Sequence, residues 1–146
     1  MLPIQRSYLI EVNLGTTNPG NGVNINFQDY PQLRDIYITG IEVFDVNQVA
    51  VSPAGKAVVP TLTGITVTLM DKFNMENVYQ YPAFDLNPFN VGGFYRDFKP
   101  FFLQLTKSYI SVLDATTVSA NQSVMLNIFY ITAKDYEKYK ASYVRK

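Results

Sequence analysis

The chain contains no cysteine, no histidine and no tryptophan. Zero cysteine removes disulfides, thiolate nucleophiles and cysteine metal sites. Zero histidine removes the most frequent general base, the commonest metal ligand and every Ser-His or Cys-His mechanism. Charged residues are scarce, at 16%, and glutamate occurs only four times. Basic and acidic residues balance at 12 each, which argues against a dedicated nucleic-acid binder, normally a basic domain. No apolar run approaches the ~20 residues that span a bilayer as a helix, so no membrane partner is expected. Met1–Arg6 has no basic stretch leading into an apolar one, so no secretory signal is expected either.

What is present is material for strands. Val, Ile and Thr number 15, 10 and 11, and Phe and Tyr add 21 more among 146 residues. Branched and aromatic side chains pack well on a pleated surface. A chain of this length buries enough surface for one core without staples. With 47% hydrophobic residues, most of it is expected to be ordered.

Alternation places the strands. Tyr8, Ile10, Val12 and Leu14 share one face of a first strand. Asn18-Pro19-Gly20-Asn21-Gly22 then forms a turn cluster. Val23, Ile25 and Phe27 alternate with Asn24 and Asn26. A long strand runs from Ile36 to Asp45, and its phase switches at Gly40, where a bulge would reset it. Val49 to Pro60 reads as loop. Gly64 opens another strand carrying Ile65, Val67 and Leu69 inward. Phe101–Leu105, Tyr109–Leu113 and Val124–Ile131 complete the set, the last apolar on both faces and therefore central.

The stretch Asp71–Pro100 differs. It holds Pro82, Pro88, Gly92 and Gly93 together with eight Phe and Tyr residues. A short strand near Val78–Tyr81 is expected, and the rest reads as a long aromatic loop. Such loops are functional or packed by their own side chains. So many rings either extend the core or form an interface, because large exposed apolar patches are uncommon on monomers. After Ala133 the pattern changes again. Tyr136, Tyr139 and Tyr143 fall on one helical face, and 134–146 carries a net charge of +3 from five basic and two acidic residues. This tail packs on its own domain, docks on a neighbouring subunit, or meets nucleic acid through charge and stacking.

These elements predict an all-β fold: a single jelly-roll-like sandwich of about eight antiparallel strands over 1–132, with a basic, Tyr-containing C-terminal helix or arm over 133–146. Seven strands would suit an immunoglobulin-like sandwich instead.

Motifs for chemistry are sparse. Paired carboxylates are the catalytic device that remains, and Asp85 and Asp97 flank the aromatic loop, with Asp71 and Glu76 before it. They read more simply as solvated loop acids. Asp85-Leu86-Asn87 alternates oxygens but lacks the Asp-x-Asp-x-Asp-Gly run of a calcium loop. Gly92-Gly93 has no phosphate-loop context, and Asn121-Gln122-Ser123 is a glycosylation triplet without a secretory signal. No catalytic residue, cofactor or metal site is expected.

Four segments, Tyr8–Leu14, Ile36–Val43, Phe98–Leu105 and Val124–Ile131, carry a resemblance. Together they resemble small structural proteins of tailed bacteriophage virions, most nearly the auxiliary capsid proteins of crAss-like phages. The resemblance is one of overall pattern and carries no diagnostic motif. It implies a non-enzymatic structural protein that is assembled in a bacterial host cytoplasm and located in the virion. It also implies binding to the major capsid protein or other virion proteins, and to further copies of itself. On that expectation the aromatic loop and the tail supply the contacts: Tyr79, Tyr81, Phe84, Phe89, Phe94, Tyr95, Tyr136, Tyr139 and Tyr143. The alternatives are a carbohydrate-binding or host-adsorption module, which needs exposed coplanar rings at Tyr79, Tyr81 or Tyr95, and a head–tail connector component.

Overall fold

The computed structural model describes residues 5–14, 22–45, 60–87, 96–118 and 122–144. Eight strands run in chain order as β1 (Arg6–Asn13), β2 (Asn24–Asn26), β3 (Ile36–Asp45), β4 (Ile65–Met70), β5 (Glu76–Pro82), β6 (Arg96–Phe102), β7 (Tyr109–Val112) and β8 (Ser123–Thr132). A short helical turn, α1 (Pro60–Thr63), precedes β4, and a helix, α2 (Ala133–Val144), closes the described chain.

The strands form two antiparallel four-stranded sheets, in the orders β1-β8-β3-β6 and β2-β7-β4-β5. Only the β4–β5 connection stays within a sheet; every other connection crosses to the opposite one. This is the strand order of a jelly roll, and it matches the expectation from sequence. The expected central strand, β8, lies between β1 and β3.

The core lies between the sheets. Ile10 and Val12 of β1, Ile38, Ile41 and Val43 of β3, and Leu126 and Ile128 of β8 face Ile65, Val67 and Leu69 of β4 and Ile110 and Val112 of β7. Leu62 of α1 is buried in the same cluster, as are Leu33, Leu86 and Leu105 from single 3-10 turns. Ile38 and Ile41 both point inward although three positions separate them. The ladder register shifts between Ile38 and Gly40, which is the bulge that the phase switch predicts.

The sequence reading of Asp71–Pro100 as mostly loop is corrected. β5 covers Glu76–Pro82, a 3-10 turn follows over Ala83–Leu86, and β6 begins at Arg96. Both strands lie at sheet edges, where one flank needs no ladder partner. Pro82 and Pro100 are therefore tolerated within them. In β5 the alternation is also broken by a register shift, with Gln80 held at φ 46° and its backbone N–H donating to Thr68 Oγ1 at 3.0 Å. Prolines and a bulge hide the strand signature from pattern reading.

Helix α2 packs across the outer face of the first sheet, against β3, β6 and β8. Tyr136 stacks on Tyr37, with ring centroids 3.7 Å apart and planes 14° apart. Phe102 meets Tyr37 edge-on at 5.5 Å. Ile131, whose side chain is on the outer face of β8, is fully buried. Of the three readings of the tail, packing on its own domain is the one Tyr136 follows. Tyr139 and Tyr143 lie on the helix, but their side chains fall outside the described residues.

Candidate functional site

The β4–β5 hairpin carries the most exposed apolar side chains among the described residues. Phe73 is 71% exposed, Met75 64% and Tyr79 58%. The turn beneath them is held by polar atoms. Asp71 Oδ1 accepts from the backbone N–H groups of Phe73 at 2.8 Å and Met75 at 3.0 Å, while Asn77 Nδ2 donates to Asp71 Oδ2. Asn74 adopts φ 61°, a left-handed conformation that asparagine tolerates, and its N–H donates to the Asp71 carbonyl at 3.1 Å.

The tip is also tied to the chain between β6 and β7. Gln104 Nε2 donates to the Asp71 carbonyl at 2.6 Å and to Asn74 Oδ1 at 3.0 Å, and Lys107 Nζ donates to the same Asn74 oxygen at 3.0 Å. Below it, the buried Ser108 hydroxyl accepts from Met70 N–H at 3.0 Å and donates to the Gln104 carbonyl at 2.9 Å. Lys72 Nζ sits 5.2 Å from the Phe73 ring centroid and 6.0 Å from that of Phe102. The hydrogen bonds from the Met75 and Phe73 amides, with Asn77 and Lys72 adding to them, hold the Asp71 carboxyl below the ordinary carboxylate range. The arrangement is a fixed polar frame that points apolar side chains at solvent.

The residues expected from sequence to make contacts divide. Tyr79 is exposed on β5, beside this turn. Tyr81 and Phe84 are partly buried and pack against the core. Phe89, Phe94 and Tyr95 lie outside the described residues. Tyr136 is engaged with Tyr37. Phe73 and Met75 are not among the contacts that sequence reasoning names. The signal available for them is Asp71-Lys72-Phe73-Asn74, whose acid and asparagine spacing marks a turn at this point of the chain.

Of the acids weighed as a carboxylate pair, Asp71 and Glu76 belong to the β4–β5 hairpin. Asp71 is committed to the turn, and Asp85 lies in the 3-10 turn after β5. Asp97 lies on β6, with its side chain outside the described residues. Asn87, from the weighed calcium stretch, is buried and donates from Nδ2 to the Val43 carbonyl at 2.9 Å. Among the described residues, no group of three or more Asp and Glu gathers as a metal cluster would. No described helix is long and apolar enough to cross a membrane.

The second notable surface is the outer face of the first sheet. Leu9, Met125, Phe129 and Phe44 surround a polar pair in which Asn127 Nδ2 donates to Glu42 Oε1 at 3.2 Å. Burial pushes the Glu42 carboxyl above its usual range, and the Asn127 hydrogen bond offsets part of that rise.

Comparison with protein-family models, with characterised proteins and with solved structures gives no match.

Proposed function

We propose that the chain is a non-enzymatic structural protein of a bacteriophage virion, binding and stabilising a capsid lattice in an auxiliary role. The observation that carries this reading is the β4–β5 hairpin. A polar frame around Asp71 fixes the tip, and Phe73, Met75 and Tyr79 stand out from it into solvent. Aromatic residues and methionine are enriched at the centres of protein interfaces, and a pre-ordered hairpin loses little freedom on docking. The jelly roll supports the same reading by analogy, since capsid, lectin and cupin domains share it. The metal-centred chemistry of cupins relies on histidine, and this chain has none. The glycan alternative calls for exposed coplanar rings at Tyr79, Tyr81 or Tyr95; Tyr79 is exposed, Tyr81 packs inward and Tyr95 lies outside the described residues.

In this reading the partners are the major capsid protein or other virion proteins, and the site of residence is the virion. The test is co-expression with the shell-forming protein of the same genome, followed by sedimentation of assembled particles. The chain should sediment with the shells at a fixed ratio, and a Phe73→Ser/Met75→Ser variant should stay in the supernatant. Wild-type chain that never sediments with shells would end the proposal.

A further inference from the structure

Strand β1 forms one edge of its sheet, and among the described residues no strand pairs with its outer side. Its ladder to β8 defines which groups face that side. Leu14 N–H donates to the Gln122 carbonyl, in register with the β1–β8 pairs, so the even-numbered residues bond to β8. The odd-numbered residues Ser7, Leu9 and Glu11 therefore direct their N–H and C=O groups outward along the edge. The Tyr30 hydroxyl reaches the Glu11 carbonyl from that side, at 3.3 Å, and leaves that oxygen a second lone pair.

The other sheet edges carry devices that discourage pairing. β2 is three residues long, β5 is bulged and ends in Pro82, and β6 contains Pro100. β1 is eight residues long and has neither proline nor bulge. It also exposes Leu9 to 44% on the outer face. An open edge of this kind is a template for another strand.

We infer that β1 pairs antiparallel with β1 of a second copy about a two-fold axis through Leu9, joining the two first sheets into one. The sequence of the strand selects both the occupant and the register. Only odd-numbered residues can exchange hydrogen bonds across this edge, so the axis passes through a residue of β1. With the axis at Leu9, the two Leu9 side chains meet, and Ser7 stands opposite Glu11 of the second copy, a hydroxyl facing a carboxylate. With the axis at Ile10, Leu9 would face Glu11. With the axis at Glu11, two carboxylates would oppose each other, which is unfavourable across a strand pair. The Leu9 register alone matches apolar to apolar and leaves no like charges opposed. It is isologous, as two-fold interfaces are.

The chain has no native cysteine, so single cysteines report register directly. Directly opposed, hydrogen-bonded residues have Cα atoms about 5.5 Å apart, within the ~4.4–6.8 Å that a disulfide spans. Light scattering should give the wild-type chain twice the 16.5 kDa monomer mass. Leu9→Cys should cross-link to itself under mild oxidation. Ser7→Cys and Glu11→Cys should each fail to do so alone, yet cross-link when mixed. Leu9→Lys places two ammonium groups on the axis and should give a monomer with unchanged strand content. The inference is overturned by a wild-type monomer across the accessible concentration range. A Leu9→Lys variant that stays dimeric, or Ser7→Cys cross-linking to itself, overturns it equally. None of these readouts involves the hairpin of the proposed function, so the two can fail separately.

Discussion

Tyr136 of α2 lies flat on Tyr37 of β3, with ring centroids 3.7 Å apart, and this contact fixes the C-terminal helix to the sandwich. Isolated helices of this length are marginal in water, so packing on the sheet supports it. Tyr136 joins Tyr37 and Phe102 in an aromatic cluster, and at the helix start Ala133 N–H donates to the Asp35 carbonyl at 2.9 Å and Asp135 N–H to Thr132 Oγ1 at 3.2 Å. Tyr136→Ala should lower the unfolding free energy by about 1–2 kcal/mol, the scale of a stacked pair plus partial ring burial. Hydrogen exchange should accelerate over 133–144 while the β3 and β8 amides stay protected. Unchanged exchange in the helix would show that other contacts hold it.

The strands that sequence pattern locates are those with one face on the core. In β1, in the second half of β3 and in most of β8, buried inward residues alternate with less buried outward ones, so period two survives in the sequence. Even the bulge is readable, because Gly40 sits where Ile38 and Ile41 change phase. β5 and β6 are obscured because edge strands admit proline and leave more side chains in water. The candidate site is half legible for the same reason. A count of aromatic residues cannot separate Tyr79 from Tyr81. The β5 bulge decides which ring faces out, and its signature is a positive φ at Gln80 that no residue type announces. Phe73 is one of the rings that the sequence leaves open between core and interface, and the Asp71 turn is what directs it and Met75 to solvent.

The Thr66 hydroxyl is buried with no hydrogen-bond partner among the described residues. It lies on β4 between Ser111 of β7 and Pro82 of β5, and the proline offers no N–H. Ser111 directs its own hydroxyl to Asn24 Oδ1 at 2.7 Å. Leaving a buried hydroxyl unsatisfied costs on the order of 1 kcal/mol or more. Thr66→Val keeps the branched shape that the strand favours, so it should stabilise the fold by about 1 kcal/mol in chemical denaturation. A loss of stability would show that this oxygen is engaged in solution.

Glu42 gives a pH dependence of definite sign. Burial raises its carboxyl pKa in the folded state above the 4.5 of an ordinary glutamate. The folded state therefore binds this proton more tightly than the unfolded chain. Its contribution favours folding at low pH and is withdrawn as pH rises through the window above 4.5. Asp71 and Asp114 act oppositely. The amides of Met75 and Phe73 lower the first, and the Thr116 hydroxyl and amide lower the second, so their stabilisation is lost as pH falls below 3.8. Glu42→Gln should keep the acceptor for Asn127, raise the denaturation midpoint at neutral pH and flatten the profile above pH 4.5. A midpoint lowered at neutral pH would mean that the charge is favourable there.

The hairpin and the core should respond to truncation in opposite ways. Leu126 and Ile41 are fully buried between the sheets, so Leu126→Ala or Ile41→Ala should cost about 2–5 kcal/mol, from lost transfer energy and the cavity left behind. Phe73, Met75 and Tyr79 stand in solvent, and surface positions of this kind change stability by only about 0.5 kcal/mol either way. Asp71→Ala is the informative intermediate. It leaves all three apolar side chains in place but removes the acceptor that fixes the Phe73 and Met75 amides. If a pre-ordered tip sets affinity, Asp71→Ala should weaken partner binding nearly as much as Phe73→Ala while the core denaturation transition stays cooperative. Binding that survives Asp71→Ala but not Phe73→Ala would assign the affinity to the ring alone. Binding that survives both would move the interface away from the β4–β5 hairpin.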